Sequence, residues 1–579
     1  MRGNLLLQAF ILRMFCGFLL LGHSAPACAD AAIPVVSEFT PETVREMTRK
    51  VAAAGAMPSV LPEATGATGA ARALSVMKTI RAIEVATNVV ERKALESLYV
   101  AQVAKIGTTV RTDGLWASGI TNGVATGVAP DLFVSALNVK VLAWGVNQPI
   151  KMMWLDSHRV PVIRGWRALC RRVGPDSHLQ AEGMNPETER LAALAFQLAG
   201  QEVEPLAVAM LQPMPFVQTA EYQQDLADQK RLLAEAPPVT SARSLELMRR
   251  ACGWQQEHLF TGRSSDCHDS DTCWFRGTLF AGVVAAYRAT KDEYYRTLAV
   301  KLGEKNQWKP GPNALRDGND FAITQSYLDL FLMEKKSERL DPSRAVMNQL
   351  LAEKERPRWG WCDALFMAPA AFARMSVATG DARYRDWMHR QWWQTVGSLY
   401  DPDEHLFVRD RTYLPFPDGV QMRERNGKKV FWGRGNGWVF GGLCRVLEAL
   451  PADDPLRPRY EQLLREMAKV LITAQGKDGL WRASLQDPES YPLGETSGST
   501  FFCYGLAWGV NHGVLDKSTC QPVVLNAWRA LLACVDPDGK LGFVQQPADS
   551  PRSATYRRTN SEYATGALLL AGSEVLRLL

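Results

Sequence analysis

Acid–base chemistry needs a carboxyl whose surroundings hold its proton, and "RWGWCDALFMAP" (358–369) offers one: Asp363 follows Trp359, Trp361 and Cys362 and precedes a strongly apolar run. Poor solvation among aromatic rings raises a carboxyl's pKa, so that it can act as a general acid near neutral pH. The competing reading is a helix N-cap. In "RDGNDFAITQSYLDLF" (316–331), Asp317 reads as a loop or capping residue, and Asp320 as either a cap or the second carboxylate of a site. "FWGRGNGWVFGG" (431–442) sets Trp432, Arg434 and Trp438 among five glycines, either as a ligand surface or as a Gly-rich turn with its tryptophans in the core. Glu495, Ser497 and Ser499 of "GETSGSTFF" are polar enough to line a cavity, or to cap a helix.

The elements that must position these residues are helices. From about Ser244 the chain is a string of amphipathic segments, such as "TLFAGVVAAYRAT", "ALFMAPAAFARMSVAT" and "YEQLLREMAKVLITAQ", with apolar residues recurring at three and four. Loops rich in Gly, Pro, Asp and Trp separate them. No heptad is sustained, so a barrel of helical hairpins fits better than a coiled coil.

An internal repeat is legible as well. "DGLW" (478–481), "AWGVN" (507–511), "PVVLNAWRALLACVDPDG" and "YATGALLLAGSEV" recur, in order, as "DGLW" (113–116), "AWGVN" (143–147), "PVIRGWRALCRRVGPDS" and "RLAALAFQLAGQEV". Residues 75–206 therefore read as a smaller helical domain that partly duplicates 440–579. The copy lacks "FWGRGNGW", and it has "TGVAPDLFV" in the place of "GETSGSTFF", as if the site's polar residues had gone while packing residues stayed. Residues 30–74 are expected to be an N-terminal segment and linker, 207–243 a second linker, and 244–579 the barrel.

At 579 residues, more than one structural unit is expected. Arg2, an apolar stretch broken by Arg13, the run "MFCGFLLLG" and the small residues ending in "APACADA" read as a secretory signal over 1–29, cut after Ala29. The mature protein is then periplasmic or secreted, with a lipoprotein alternative resting on Cys28. No later segment has the roughly 18 apolar residues of a spanning helix. Losing Arg2 and Arg13 lowers the formal charge from +5 to +3, too mild an excess to indicate nucleic acid. The 11 cysteines become nine, an odd number that leaves at least one free in an oxidising compartment. Cys267 and Cys273 bracket "HDSDT" and could close a disulfide loop; the group fits no zinc spacing, and no metal is expected.

Taken together, "GNDFAITQSYLDL", "WCDALFMAP", "EHLFVRD", "NGKKVFWGRGNGWV", "DGLW", "ETSGS", "AWGVN" and "GALLLAGSEV" make residues 244–579 resemble the unsaturated glycuronyl hydrolases of glycoside hydrolase families 88 and 105, nearer to the unsaturated rhamnogalacturonyl hydrolases of family 105. The resemblance implies an all-α fold, an (α/α)6 barrel with its site in a cup of loops at one end. It also implies removal of the 4,5-unsaturated uronic acid that a polysaccharide lyase leaves at the non-reducing end of an oligosaccharide, with pectin as the expected source. Such a reaction hydrates a vinyl ether: an aspartic acid protonates C4, water adds at C5, and the hemiketal opens to release the rest of the chain. This departs from the two-carboxylate scheme of ordinary glycosidases.

By motif match Asp363 takes the general acid and base role, and Asp320 that of a second aspartate holding substrate or water. Trp361, Trp432 and Trp438 would then face sugar rings, Arg434 would fork onto a carboxylate or hydroxyls, and Gly433, Gly435 and Gly437 would let the backbone approach the ligand. Glu495, Ser497 and Ser499 would line the cup. Arg409 of "EHLFVRD" stands where some relatives carry a histidine near the sugar; it could read a different neighbouring sugar, which leaves the rhamnose preference open. No cofactor is implied, since hydration needs only carboxyl groups and water. Two other readings are a non-catalytic carbohydrate-binding protein, suggested by the incomplete copy, and a hydrolase of saturated glycosides on the same barrel.

Overall fold

The computed structural model describes residues 39, 41–53, 69–87, 89–107, 115–116, 120–121, 124–125, 131–147, 159–181, 184, 186–211, 214–261, 271–352, 359–415 and 421–579. The expected signal segment 1–29 and Cys267 lie outside the described residues. Cys273 is disulfide-bonded.

The first group of helices comprises α1 (Pro41–Ala53), α2 (Gly69–Val85), α3 (Val89–Gly107), α4 (Leu132–Asn147), α5 (Arg159–Cys170) and α6 (Pro186–Leu211). Helices α1 and α4 pack along α6, α2 packs on α4, and α3 and α5 back α2 and α4. The second group runs through α7 (Ala220–Ala234), α8 (Ser241–Glu257), α9 (Trp274–Thr290), α10 (Glu293–Lys305), α11 (Thr324–Glu334), α12 (Asp341–Ala352), α13 (Ala364–Met367), α14 (Pro369–Thr379), α15 (Ala382–Leu399), α16 (Gly433–Ala449), α17 (Arg457–Ala474), α18 (Thr496–Asn511), α19 (Lys517–Ala533) and α20 (Glu562–Val575).

Six of these close a ring, with α9 packed on α11, α11 on α14, α14 on α16, α16 on α18, α18 on α20 and α20 back on α9. Outside the ring, α8 lies on α20, α10 on α9, α15 on α14, α12 on α15, α17 on α16 and α19 on α18. The protein is thus mainly helical, with an (α/α)6 barrel. Sequence dictates which helix goes where. Inner helix α18 is buried at every residue from Thr496 to Gly509, its polar first turn hydrogen-bonded and the run from Phe501 onward apolar on most sides. Outer helix α15 buries one stripe, Tyr384, Trp387, Met388, Gln391, Trp392 and Thr395, at the spacing of a single helical face.

Inside the ring the inner helices are also joined by charge. Asp329 of α11 receives Arg374 Nε (2.6 Å) from α14 and Arg445 Nη2 (2.7 Å) from α16. Glu448 takes the other arms of both arginines, at 2.7 and 2.9 Å, and Arg288 of α9 at 2.5 Å. Burial alone would raise both carboxyls, but the arginines hold Asp329 and Glu448 below their ordinary values.

Residues 207–243, expected to be a linker, are not one. Helix α6 runs on to Leu211, and α7 is docked onto the barrel by polar bonds. Gln229 exchanges two bonds with the backbone of Gly494 (2.9 and 2.7 Å), Tyr222 OH accepts from Leu493 N (3.2 Å), and Asp225 accepts from Arg557 N (2.8 Å). The buried stripe Tyr222, Asp225, Gln229, Leu233 has helical spacing, but its two polar members hide it from an apolar periodicity count. Helix α1, placed in the N-terminal segment, packs on α6, with Arg45 paired to Glu204 at 2.6 Å.

The repeated words repeat their bonds. Trp481 N donates to Ser499 Oγ (2.9 Å) and its ring N–H to Leu471 O (2.7 Å); Trp116 does the same with Ser135 Oγ (2.9 Å) and Ile106 O (3.1 Å). Asn511 reaches Glu574 O at 2.9 Å, and Asn147 reaches Glu202 O at 2.7 Å. Val535 bridges Leu541 as Val173 bridges Leu179. Glu495 caps α18 through Gly498 N, and Asp131 caps α4 through Val134 N. The view that the first copy lost the polar residues of "GETSGSTFF" is therefore corrected: a capping carboxylate and the serine survive because they hold backbone. Ser135→Ala and Ser499→Ala are each expected to cost about 1–3 kcal/mol, the penalty for orphaning a buried N–H. Faster amide exchange at Trp116 or Trp481, respectively, is the check.

Candidate active site

Asp363 sits immediately before α13 in right-handed helical geometry, and its side chain makes no cap hydrogen bond. The capping alternative thus falls away. Its carboxyl keeps 13% exposure, with Arg409 Nε 3.6 Å and Cys362 Sγ 3.6 Å from Oδ2. Burial raises its pKa above the ordinary 3.8, against the opposing pull of Arg409 and Arg434. The result is a carboxyl biased toward holding a proton, yet open to a ligand.

Arg409 is brought there by pairing. A short hairpin joins Tyr400–Asp401 to Leu406–Phe407, and the chain leaving it pairs with the segment before Asp363. Trp361 bridges Asp410, and Cys362 N donates to Arg409 O at 2.8 Å. Trp361, Asp363 and Arg409 are all partly exposed.

Asp320 lies in a 3-10 turn, Gly318–Phe321, that packs on α13, so both expected aspartates come to the same end of the ring. It is 8% exposed, and its Oδ2 accepts Asn313 N at 2.5 Å. Gly311 lies so close to the Asp320 side chain that no methyl fits between them. Asp317 caps the turn, bonding Asn319 N at 2.9 Å.

The other residues expected at the ligand are buried. Trp432 is 2% and Trp438 1% exposed. Trp432 Nε1 bonds Gln545 Oε1 (2.7 Å), and Trp438 is packed among Phe501, Phe366, Trp274 and Tyr563. Arg434, 1% exposed, sends Nη1 to Gln545 O (2.5 Å) and Nη2 to Gln546 O (2.9 Å). Glu495 accepts Ser497 N, Gly498 N and Gln545 N at 2.9, 2.7 and 2.9 Å; Ser497 and Ser499 are fully buried beside it. Gly433, Gly435 and Gly437 lie in the first turns of α16, where a methyl would crowd Arg482 O, the Trp432 ring or Phe501. Trp432, Arg434 and Glu495 are tied together through residues 545–546, with Arg434 close enough to act on Asp363.

Gln545 joins them and was missed. Fully buried, it accepts Trp432, Arg434 and Tyr563 and sends its amide to the carbonyls of Ser550, Pro551 and Ser553. Its only signal in the sequence is a polar pair closing the apolar run 541–544. Among the described residues no group of three or more His, Cys, Asp or Glu could cage a metal ion.

A family model described as Glycosyl Hydrolase Family 88 matches residues 247–579. The unsaturated 3S-rhamnoglycuronyl hydrolase of Formosa agariphila is 38% identical over 347 residues, covering 57% of this chain and 90% of the relative. That of an Alteromonas species is 33% identical over 326 residues, covering 52% and 77%. A solved glycosyl hydrolase family 88 structure from Bacteroides vulgatus superposes with a TM-score of 0.53 at 29% identity, over 59% of this chain and all of that one.

Proposed function

The chain belongs to glycosyl hydrolase family 88, and on that premise we propose that Asp363 is the proton donor of a hydrolase that removes an unsaturated uronate from the end of an oligosaccharide. The observation that carries this reading is the Asp363 carboxyl: uncapped, desolvated, raised in pKa and still accessible beside a cation. Its proton goes to C4 of the double bond. Water adds its oxygen to C5 and returns a proton to the Asp363 carboxylate. The C5 hemiketal opens to a ketone, the freed C1 hemiacetal expels the leaving sugar as an alcohol, and Asp363 is ready for another turn. Arg409 meets the uronate carboxylate, and Trp361 the sugar's apolar face. Asp320, anchored through Asn313, helps hold substrate or water.

Unsaturation at C4–C5 erases the stereocentre that distinguishes glucuronate from galacturonate. Specificity must then come from the anomeric linkage and the leaving sugar. The two relatives are named for rhamnoglycuronyl substrates, which supports rhamnose as the leaving sugar. The test is loss of the double-bond ultraviolet absorbance on incubation with α-linked and β-linked unsaturated uronyl-rhamnose. Bleaching of at least one is expected. Persistence of both signals sinks the reading in favour of carbohydrate binding or of saturated glycosides.

A further inference from the structure

Arg409 stands between two carboxylates and is held by one of them. Its Nη1 lies 2.6 Å from Asp410 Oδ2, a charge-assisted hydrogen bond. Its Nε lies 3.6 Å from Asp363 Oδ2, beyond hydrogen-bond reach, and is buried without a hydrogen-bond partner. Asp410 is fixed in turn. Its Oδ1 accepts the Thr412 N–H at 2.8 Å and the Thr412 hydroxyl at 2.6 Å, and its backbone bridges Trp361.

We propose that Asp410 is a positioning residue that keeps Arg409 from moving out of its 3.6 Å approach into hydrogen-bonding contact with Asp363, so that the Asp363 carboxyl remains a proton donor. This rests on the reading of Asp363 as proton donor. A guanidinium in contact with a carboxylate favours the ionised form, which cannot protonate C4. The other groups acting on the pair are Cys362 and Arg434 at Asp363 and Asp549 at Arg409, while Asp320 lies in the turn packed on α13.

The experiment is the pH dependence of kcat/KM on unsaturated uronyl-rhamnose for the full chain, with Asp410→Asn, Thr412→Val and Asp410→Glu. Asp410→Asn releases Arg409 toward Asp363, and its alkaline limb is expected to move to lower pH by about one unit, tenfold in rate on the limb. Thr412→Val, which loosens Asp410 and covers the case of an unfolded Asp410→Asn, should move it the same way by less. Asp410→Glu should bring it back. A limb that stays in place or moves to higher pH overturns the inference even if activity drops, since a merely loosened fold scales the profile without displacing it. If the wild type bleaches no substrate, the hydrolase reading itself has failed; if it bleaches and the limb holds still, only the role of Asp410 has.

Discussion

Asp363→Asn is expected to lower turnover of an unsaturated uronyl substrate by about 10²–10⁴-fold, the span a positioned general acid contributes. Asparagine keeps the shape of the side chain and loses only the transferable proton. Folding should not suffer. A carboxyl raised by burial contributes stability below its ordinary pKa, here 3.8, and loses it as pH climbs through the folded value. At neutral pH the wild type bears the cost of a desolvated charge or of holding a proton out of solution, and the amide bears neither. The variant is therefore expected to melt at or above the wild-type temperature at pH 7, with that advantage gone near pH 3. A variant that is inactive and also less stable at pH 7 would point to a scaffold role instead.

The largest expected loss of stability lies in the charged cluster inside the ring. Arg445→Met removes one arm from Asp329 and one from Glu448, leaving a buried and a partly buried carboxylate with Arg374 and Arg288 alone. Breaking a buried pair from one side costs about 3–5 kcal/mol, because the remaining charge keeps its desolvation penalty. The denaturation midpoint reads this directly. Asp329 and Glu448 sit below their ordinary values of 3.8 and 4.5, so their contribution is present above those values and lost as pH falls through the folded ones. The gap between wild type and variant should accordingly narrow in acid. A gap as wide at pH 3 as at pH 7 would mean that lost packing, not charge, is being measured.

The ring of helices was legible because inner and outer helices obey different patterns, continuous apolar runs as in α18 and single stripes as in α15. The desolvation of Asp363 was legible because its neighbours are the residues that exclude water from a carboxyl. The ambiguous stretches share a physical cause. Trp432, Arg434, Trp438 and the glycines between them have the composition of a sugar-binding surface, but tight helix packing asks for the same residues, flat rings and no side chains at points of contact. Only geometry separates the two. Polar docking was invisible for a related reason: Asp225, Gln229 and Gln545 bond to backbone groups far along the chain, which no local pattern announces.

The clasp of tryptophan, serine and capping carboxylate occurs twice, at Trp116, Ser135 and Asp131 and again at Trp481, Ser499 and Glu495. Only the second stands behind Asp363, through Gln545 and Arg434. The molecule thereby carries its own matched control. A serine-to-alanine change at 135 reads what the clasp is worth to folding, and the same change at 499 reads that quantity together with whatever turnover owes to it. The difference between two variants of one chain isolates catalysis from architecture, a comparison that otherwise requires two proteins.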